Sequence, residues 1–189
     1  VIMKFEHQKT NEILKWFEEI TKIPRCSKDE GAICDWLINW ANENNLEVKT
    51  DKVQNVLIKV PANPGYENSP TMVIQGHVDM VCEKTPDSTH DFTKDPIKLV
   101  YDGEWLTADK TSLGADNGIA IAMALTMALD KEMPRPALEL LFTVDEETGL
   151  TGASALEPGF IDGKILINIA SEDEGVFTVG CAGGINTYL

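Results

Sequence analysis

Apolar positions recur at intervals of three and four through Thr10-Asn11-Glu12-Ile13-Leu14-Lys15-Trp16-Phe17-Glu18-Glu19-Ile20-Thr21-Lys22. That period predicts an amphipathic helix, capped by Thr10 or Asn11 and stopped before Pro24. A second helix is predicted from about Lys28 to Glu43, with Ile33, Trp36, Leu37 and Trp40 on one face. Then the pattern changes. Leu46 to Lys49 and Val53 to Val60 read as strands, and 61–70 as a turn-rich loop. Thr71 to Gly76 is a nearly continuous apolar run, as expected of a strand buried on both faces. Residues 83–111 are polar, with two short strands, Leu99-Val100-Tyr101 and Trp105-Leu106, turning at Asp102-Gly103. Asn117 to Leu129 is almost all Ala, Ile, Leu and Met, which predicts a buried helix whose alanines permit close approach to a sheet. Leu138 to Val144 and Ile165 to Ile169 read as interior strands, and Gly175 to Val179 as a further candidate. Helices alternating with buried strands define an α/β class, a mixed, largely parallel sheet flanked by helices.

The 189 residues suffice for one well-buried domain and are marginal for two. No apolar run reaches the roughly 18 residues of a membrane span, and Val1 to His7 lacks a signal-peptide core. The expected location is the cytoplasm. A net charge of −15 argues against nucleic acid, whose binding needs clustered Lys and Arg. The four cysteines, Cys26, Cys34, Cys82 and Cys181, form no CxxC pair, so reduced and mostly buried thiols are expected.

Chemistry-bearing side chains gather at the edges of the apolar runs. His77 and Asp79 follow Met72-Val73-Ile74; Asp116 opens the alanine-rich helix; Glu146 and Glu147 follow the Leu138–Val144 strand. A His with several carboxylates suits zinc or manganese. Alternate residues of a strand share a face, so Asp79 can fix the tautomer of His77; a satisfied His at a strand end is the plainer reading. Asp116 reads either as a helix cap or as a carboxylate bridging two cations. Glu146 and Glu147 point in different directions. One could ligate a metal while the other takes a proton from water; a solvated acidic turn is the alternative. All five should then converge at the C-terminal edge of one sheet. A serine hydrolase is disfavoured because GxSxG is missing, and no cysteine motif matches a nucleophile site. Neither GxGxxG nor a phosphate-binding loop is present.

Taken together, Gly76-His77-Val78-Asp79-Met80-Val81-Cys82-Glu83-Lys84, Ser112-Leu113-Gly114-Ala115-Asp116-Asn117-Gly118 and Thr143-Val144-Asp145-Glu146-Glu147-Thr148-Gly149-Leu150-Thr151-Gly152-Ala153 resemble the M20 family of dinuclear metallopeptidases. They most resemble its aminoacyl-histidine dipeptidase branch. The resemblance implies two zinc ions, with manganese or cobalt as substitutes, and a small peptide substrate, typically Xaa-His. It implies that His77 binds one metal, Asp116 bridges both, and Glu147 ligates the metal that does not carry His77. Asp79 would orient His77, and Glu146 would be the general base. A cis peptide between Asp116 and Asn117 is also implied. At Ala170 the family carries an acidic ligand, usually Asp, and a methyl group cannot ligate; Glu172 and Asp173 lie nearby but out of step. Family chains are more than twice this length, with a lid or dimerisation domain and a further His ligand beyond the equivalent of Leu189. Residues 1–189 are therefore expected to be the N-terminal part of the catalytic domain, full-length members being homodimers. Other M20 activities (a tripeptidase, an N-acyl amino-acid deacylase) and a non-catalytic module are the alternatives.

Overall fold

The computed structural model describes residues 7–103, 105–171 and 175–180. Two helices lead, α1 (Gln8–Ile20) and α2 (Gly31–Glu43). The chain then enters β1 (Glu47–Thr50), β2 (Val56–Val60) and β3 (Met72–His77). A small hairpin, β4 (Leu99–Tyr101) and β5 (Leu106–Ala108), precedes α3 (Ala115–Leu129). The rest comprises β6 (Leu138–Thr143), α4 (Thr151–Ser154) and β7 (Ile165–Asn168).

Five strands form one sheet in the order β1-β2-β6-β3-β7. β1 and β2 are antiparallel, as are β2 and β6, whereas β3 runs parallel to both β6 and β7. The sheet is thus mixed, with its parallel part centred on β3. In that part His77 stands opposite Thr143, and Gln75 opposite Asn168. Three strands therefore deliver their C-terminal ends to one edge, where open α/β sheets place ligand crevices.

The main core lies on one face. Phe17 and Ile20 of α1, Ile33, Leu37 and Trp40 of α2, and Ile121 and Leu125 of α3 pack against Val56, Ile58, Ile74, Leu140 and Phe142. The other face is thinner, with Leu57, Val73 and Leu141 covered by Leu156, Phe160 and Ile161. The alanines of α3 do what their size permits. A Cβ added at Gly76 would run into the Asn117 side-chain oxygen and come within 3.0 Å of the Ala120 methyl. Glycine is thus required where β3 and α3 touch.

Several boundaries differ from the sequence pattern for local reasons. α1 starts at Gln8 with His7 as its N-cap, and the Asn11 amide donates back to the His7 carbonyl at 3.2 Å. α2 starts at Gly31, not Lys28, because Lys28 takes a left-handed conformation (φ 72°) and its N–H bonds the Glu30 carboxylate. β2 starts at Val56 because Asp51 folds Val53 and Asn55 back onto its own carboxylate. Ile165 to Asn168 is an exposed edge strand, with Ile165, Leu166 and Ile167 at 46, 52 and 37% exposure. Its apolar composition resembles that of an interior strand, but among the described residues it pairs only with β3. Residues 175–180 form no strand.

The cysteines require a larger correction. Cys26 and Cys82 are disulfide-bonded, with Cα atoms 5.6 Å apart. They are 56 residues apart, so spacing could not reveal the pair; an isolated parallel bridge between Cys26 and Met80 brings them together. Cys34 is a free, buried thiol, as expected, and Cys181 lies outside the described residues.

Candidate metal centre at the C-terminal edge of the sheet

His77 ends β3 and is buried, at 2% exposure. Its backbone N–H donates to the Asn117 side-chain oxygen at 3.1 Å. Its ring is gripped on one side: Nδ1 lies 3.1 Å from the Asp79 carboxylate. The other nitrogen, Nε2, faces the crevice, 3.0 Å from Asp116 Oδ1 and 3.9 Å from Glu146 Oε2. A carboxylate on Nδ1 leaves Nε2 free to ligate, the usual arrangement behind a metal-binding His.

Asp79 is fully buried. Its carboxylate also accepts from Ser27 Oγ at 2.8 Å and from the backbone N–H groups of Glu146 and Glu147 at 3.0 and 3.2 Å. Burial alone would raise its pKa, but these donors hold it well below the usual carboxylate range. One carboxylate therefore ties the end of β3 to the turn after β6. Burial likewise opposes charge on His77, yet Asp79 and Asp116 raise its pKa above the ordinary value. Glu147 is raised too, by burial first and then by the neighbouring charges of Asp116, Glu146 and Asp79.

Asp116 comes from the other side of the crevice. Gly114, in the left-handed region at φ 70°, turns the chain into α3. The Asp116–Asn117 peptide is cis. Asn117 is buried, and its amide donates to the Ile169 carbonyl while its oxygen receives the His77 N–H. It thus joins the ends of β3 and β7 beside the exposed Asp116 carboxylate. Ligand atoms of His77, Asp116 and Glu147 all lie within 4.8 Å of one another. One nitrogen and two carboxylate oxygens at this spacing fit a divalent cation of the zinc or manganese type.

All five sequence-selected residues, His77, Asp79, Asp116, Glu146 and Glu147, meet at this edge. Ala170 lines a cavity of about 80 Å³ there, with Gln75, His77, Thr143, Glu146 and Asn168 among its walls. Glu172 and Asp173 lie outside the described residues. Sequence reading missed the supports. Arg25 is buried at 1% exposure; it donates to the carbonyls of Val78 and Asp79 at 3.0 and 3.2 Å, and to that of Gly114. Burial lowers its pKa to about 10, against the opposing charges of Asp79, Asp116 and Glu147. Ser27 and Asn117 are the other two. A lone Arg or Ser after a predicted helix carries no periodic signal; Asn117 at least sits beside Asp116 in its motif.

A sheet-edge crevice that gathers a carboxylate-backed His and two further carboxylates is of the class that can hold a metal ion. No protein-family model matches the chain. Among characterised proteins, the cytosol non-specific dipeptidase of Escherichia coli is 45% identical over 170 residues, covering 90% of this chain and 35% of that one. The crystal structure of aminoacylhistidine dipeptidase from Vibrio alginolyticus superposes with a TM-score of 0.85 at 44% identity, covering 90% of this chain and 36% of that one. Aminopeptidase PepT from Bacillus cereus superposes with a TM-score of 0.70 at 25% identity, covering 86% and 43%. The chain is a homologue of these peptidases, with the dipeptidase resemblance of its motifs borne out, and it spans about a third of the length of the dipeptidases it matches.

Proposed function

We propose that this chain is part of the catalytic domain of a metal-dependent dipeptidase that cleaves short peptides, Xaa-His dipeptides among them. The observation that carries this reading is the cluster of His77, Asp116 and Glu147 ligand atoms in one crevice, in a chain 45% identical to a dipeptidase. His77, Asp116 and Glu147 would hold the metal, zinc by the donor set, with manganese or cobalt as substitutes. When bound, such an ion supplies the Lewis acidity that makes water a nucleophile near neutral pH.

The remaining work falls to the chain itself. Asp79 keeps the His77 ring turned so that Nε2 meets the crevice. Glu146 reaches within 3.9 Å of that nitrogen and is the base: its carboxylate takes a proton from the attacking water and returns it to the leaving amine. Asn117 and Arg25 hold the two sides of the crevice at their spacing. The expected setting is a cytoplasmic protein acting on small peptides; among the described residues, no helix is long and apolar enough to cross a membrane.

The test uses two variants. His77→Ala should lose metal, measured by elemental analysis after dialysis. Glu146→Gln should keep its metal and lose turnover of a dipeptide such as Gly-His by about 10²–10⁴-fold. Metal content unchanged in His77→Ala, or turnover unchanged in Glu146→Gln, would overturn the reading.

A second reading, a non-catalytic relative, draws support from Ala170. A methyl group stands in the crevice wall where the resemblance calls for an acidic ligand. A pair of cations needs carboxylates to offset their mutual repulsion. Fewer than two equivalents of zinc are therefore expected, and Ala170→Asp should raise the stoichiometry. Two tightly held zinc ions in the unaltered protein would exclude this second reading.

A further inference from the structure

Cys26 lies between two residues that hold Asp79. Arg25 donates to the Asp79 carbonyl at 3.2 Å, and Ser27 donates to its carboxylate at 2.8 Å. Cys82 follows Asp79 on the same stretch of chain. The two stretches run side by side, with the Met80 N–H donating to the Arg25 carbonyl at 3.1 Å. The Cys26–Cys82 bond closes this pair of stretches covalently, with Cα atoms 5.6 Å apart. Both cysteines are half-buried, and Val81 and Glu83 beside Cys82 are exposed, so the pair lies near the surface. Cys34 offers no competition. It is buried, and burial pushes its thiol up to about 12.

We infer that Cys26 and Cys82 form a reversible thiol–disulfide site for glutathione-type thiols and disulfides. Its oxidation state sets how firmly Asp79 holds His77, and through His77 the metal affinity of the crevice. The second half of this inference rests on the metal-binding reading above. The chemistry is exchange. One cysteine loses its S–H proton to solvent and attacks glutathione disulfide, releasing one glutathione thiolate that takes up a proton. The second cysteine, also deprotonated, displaces the other glutathione. Two protein S–H bonds and one glutathione S–S bond become one protein S–S bond and two glutathione S–H bonds. Two electrons pass from the protein to the small disulfide. In a glutathione-reduced compartment such pairs are usually transient and redox-sensing.

The size of the effect follows from the contacts. Opening the bond removes the covalent tie on the Arg25-Cys26-Ser27 stretch, which Arg25 still anchors at Val78, Asp79 and Gly114, and so loosens Ser27, one of the four donors to the Asp79 carboxylate. The His77 ring and the amides of Glu146 and Glu147 remain. Loss of a whole supporting residue behind a metal ligand typically costs 10–100-fold in affinity. Partial loosening should therefore cost roughly 3–10-fold.

The experiment equilibrates the protein at reduced and at oxidised glutathione ratios. Glutathione is then removed anaerobically, and the cysteine state is verified by the mass of the alkylated protein. Zinc is titrated in against a chromophoric chelator. The oxidised form should bind zinc roughly 3–10-fold more tightly, and the Cys26→Ser/Cys82→Ser double variant should match the reduced form at both ratios. Equal affinity of the two verified forms would overturn the coupling and leave the metal reading intact. Tighter zinc in the reduced form would overturn it too. A pair that stays reduced at every ratio would dispose of the redox site. Zinc bound by neither form would remove the metal reading and the coupling together.

Discussion

Individual side chains at the crevice are held by backbone-directed bonds, and that decides which substitutions matter. Arg25 is a buried cation whose guanidinium spends its donors on carbonyls of two separate segments, Val78-Asp79 and Gly114. Arg25→Ala would leave those acceptors unpaired and should cost about 3 kcal/mol or more in urea unfolding. An unfolding midpoint within error of the parent would contradict this. Cys34 makes the opposite case, a titratable group kept neutral. Burial, then the charges of Glu30 and Asp35, push its thiol from 9.0 to about 12. Folded and unfolded chains both keep the proton below pH 9, so Cys34 contributes no pH dependence there. As pH rises past 9 the unfolded thiol ionises while the folded one does not, and stability falls. Cys34→Ala should flatten that alkaline loss. In the folded protein at pH 8, iodoacetamide should leave Cys34 unmodified until denaturant is added; rapid labelling of the folded form would show that the site is open.

Elements meet here through small residues and a few amides. Gly76 allows β3 to touch α3, and Asn117 bonds the ends of β3 and β7 at the same place. Gly76→Ala would drive a methyl group against the Asn117 amide and the Ala120 methyl. Overpacking of this kind costs about 1–3 kcal/mol. Because Asn117 adjoins Asp116, zinc affinity should fall as well as the melting temperature. A variant that loses stability but keeps its zinc affinity would show the two effects to be separable. Asn55 plays the matching part behind β6. Its side chain accepts from the Val144 N–H at 3.1 Å and donates to the Gly152 carbonyl at 2.8 Å, fixing the turn that carries Glu146 and Glu147. The motifs therefore sit on backbone that other parts of the chain aim.

Across the whole molecule, stability should be graded from the centre of the sheet outward. β6 is buried along its entire length between two partners, whereas every residue of β7 is exposed and, among the described residues, its ladder is one-sided. Hydrogen exchange reports such differences as local opening. Amides of 165–168 should exchange well before those of 138–143, read by mass spectrometry of peptic fragments. Equal protection would mean that β7 is covered in solution.

Periodicity alone was enough for the class and for the order of the longer elements, because runs such as Leu138 to Val144 and the three-four spacing of Ile13, Trp16, Phe17 and Ile20 depend only on chain geometry; the one-turn α4 was not read, and Gly175 to Val179 forms no strand. Side-chain type and position at element ends, which are properties of the sequence, drew attention to His77, Asp79, Asp116, Glu146 and Glu147, and the fold brings those five to one edge. Edge or interior was a different matter: Ile165 to Ile169 has interior composition, but its exposure depends on what lies beside it. The Lys28 turn was hidden because a positive φ at a non-glycine residue is imposed by its surroundings. The Cys26–Cys82 pair, the Arg25 cross-tie and the Asn117 bridge were decided only by the tertiary structure. Each joins segments tens of residues apart, and a contact at such separation has no local pattern to betray it.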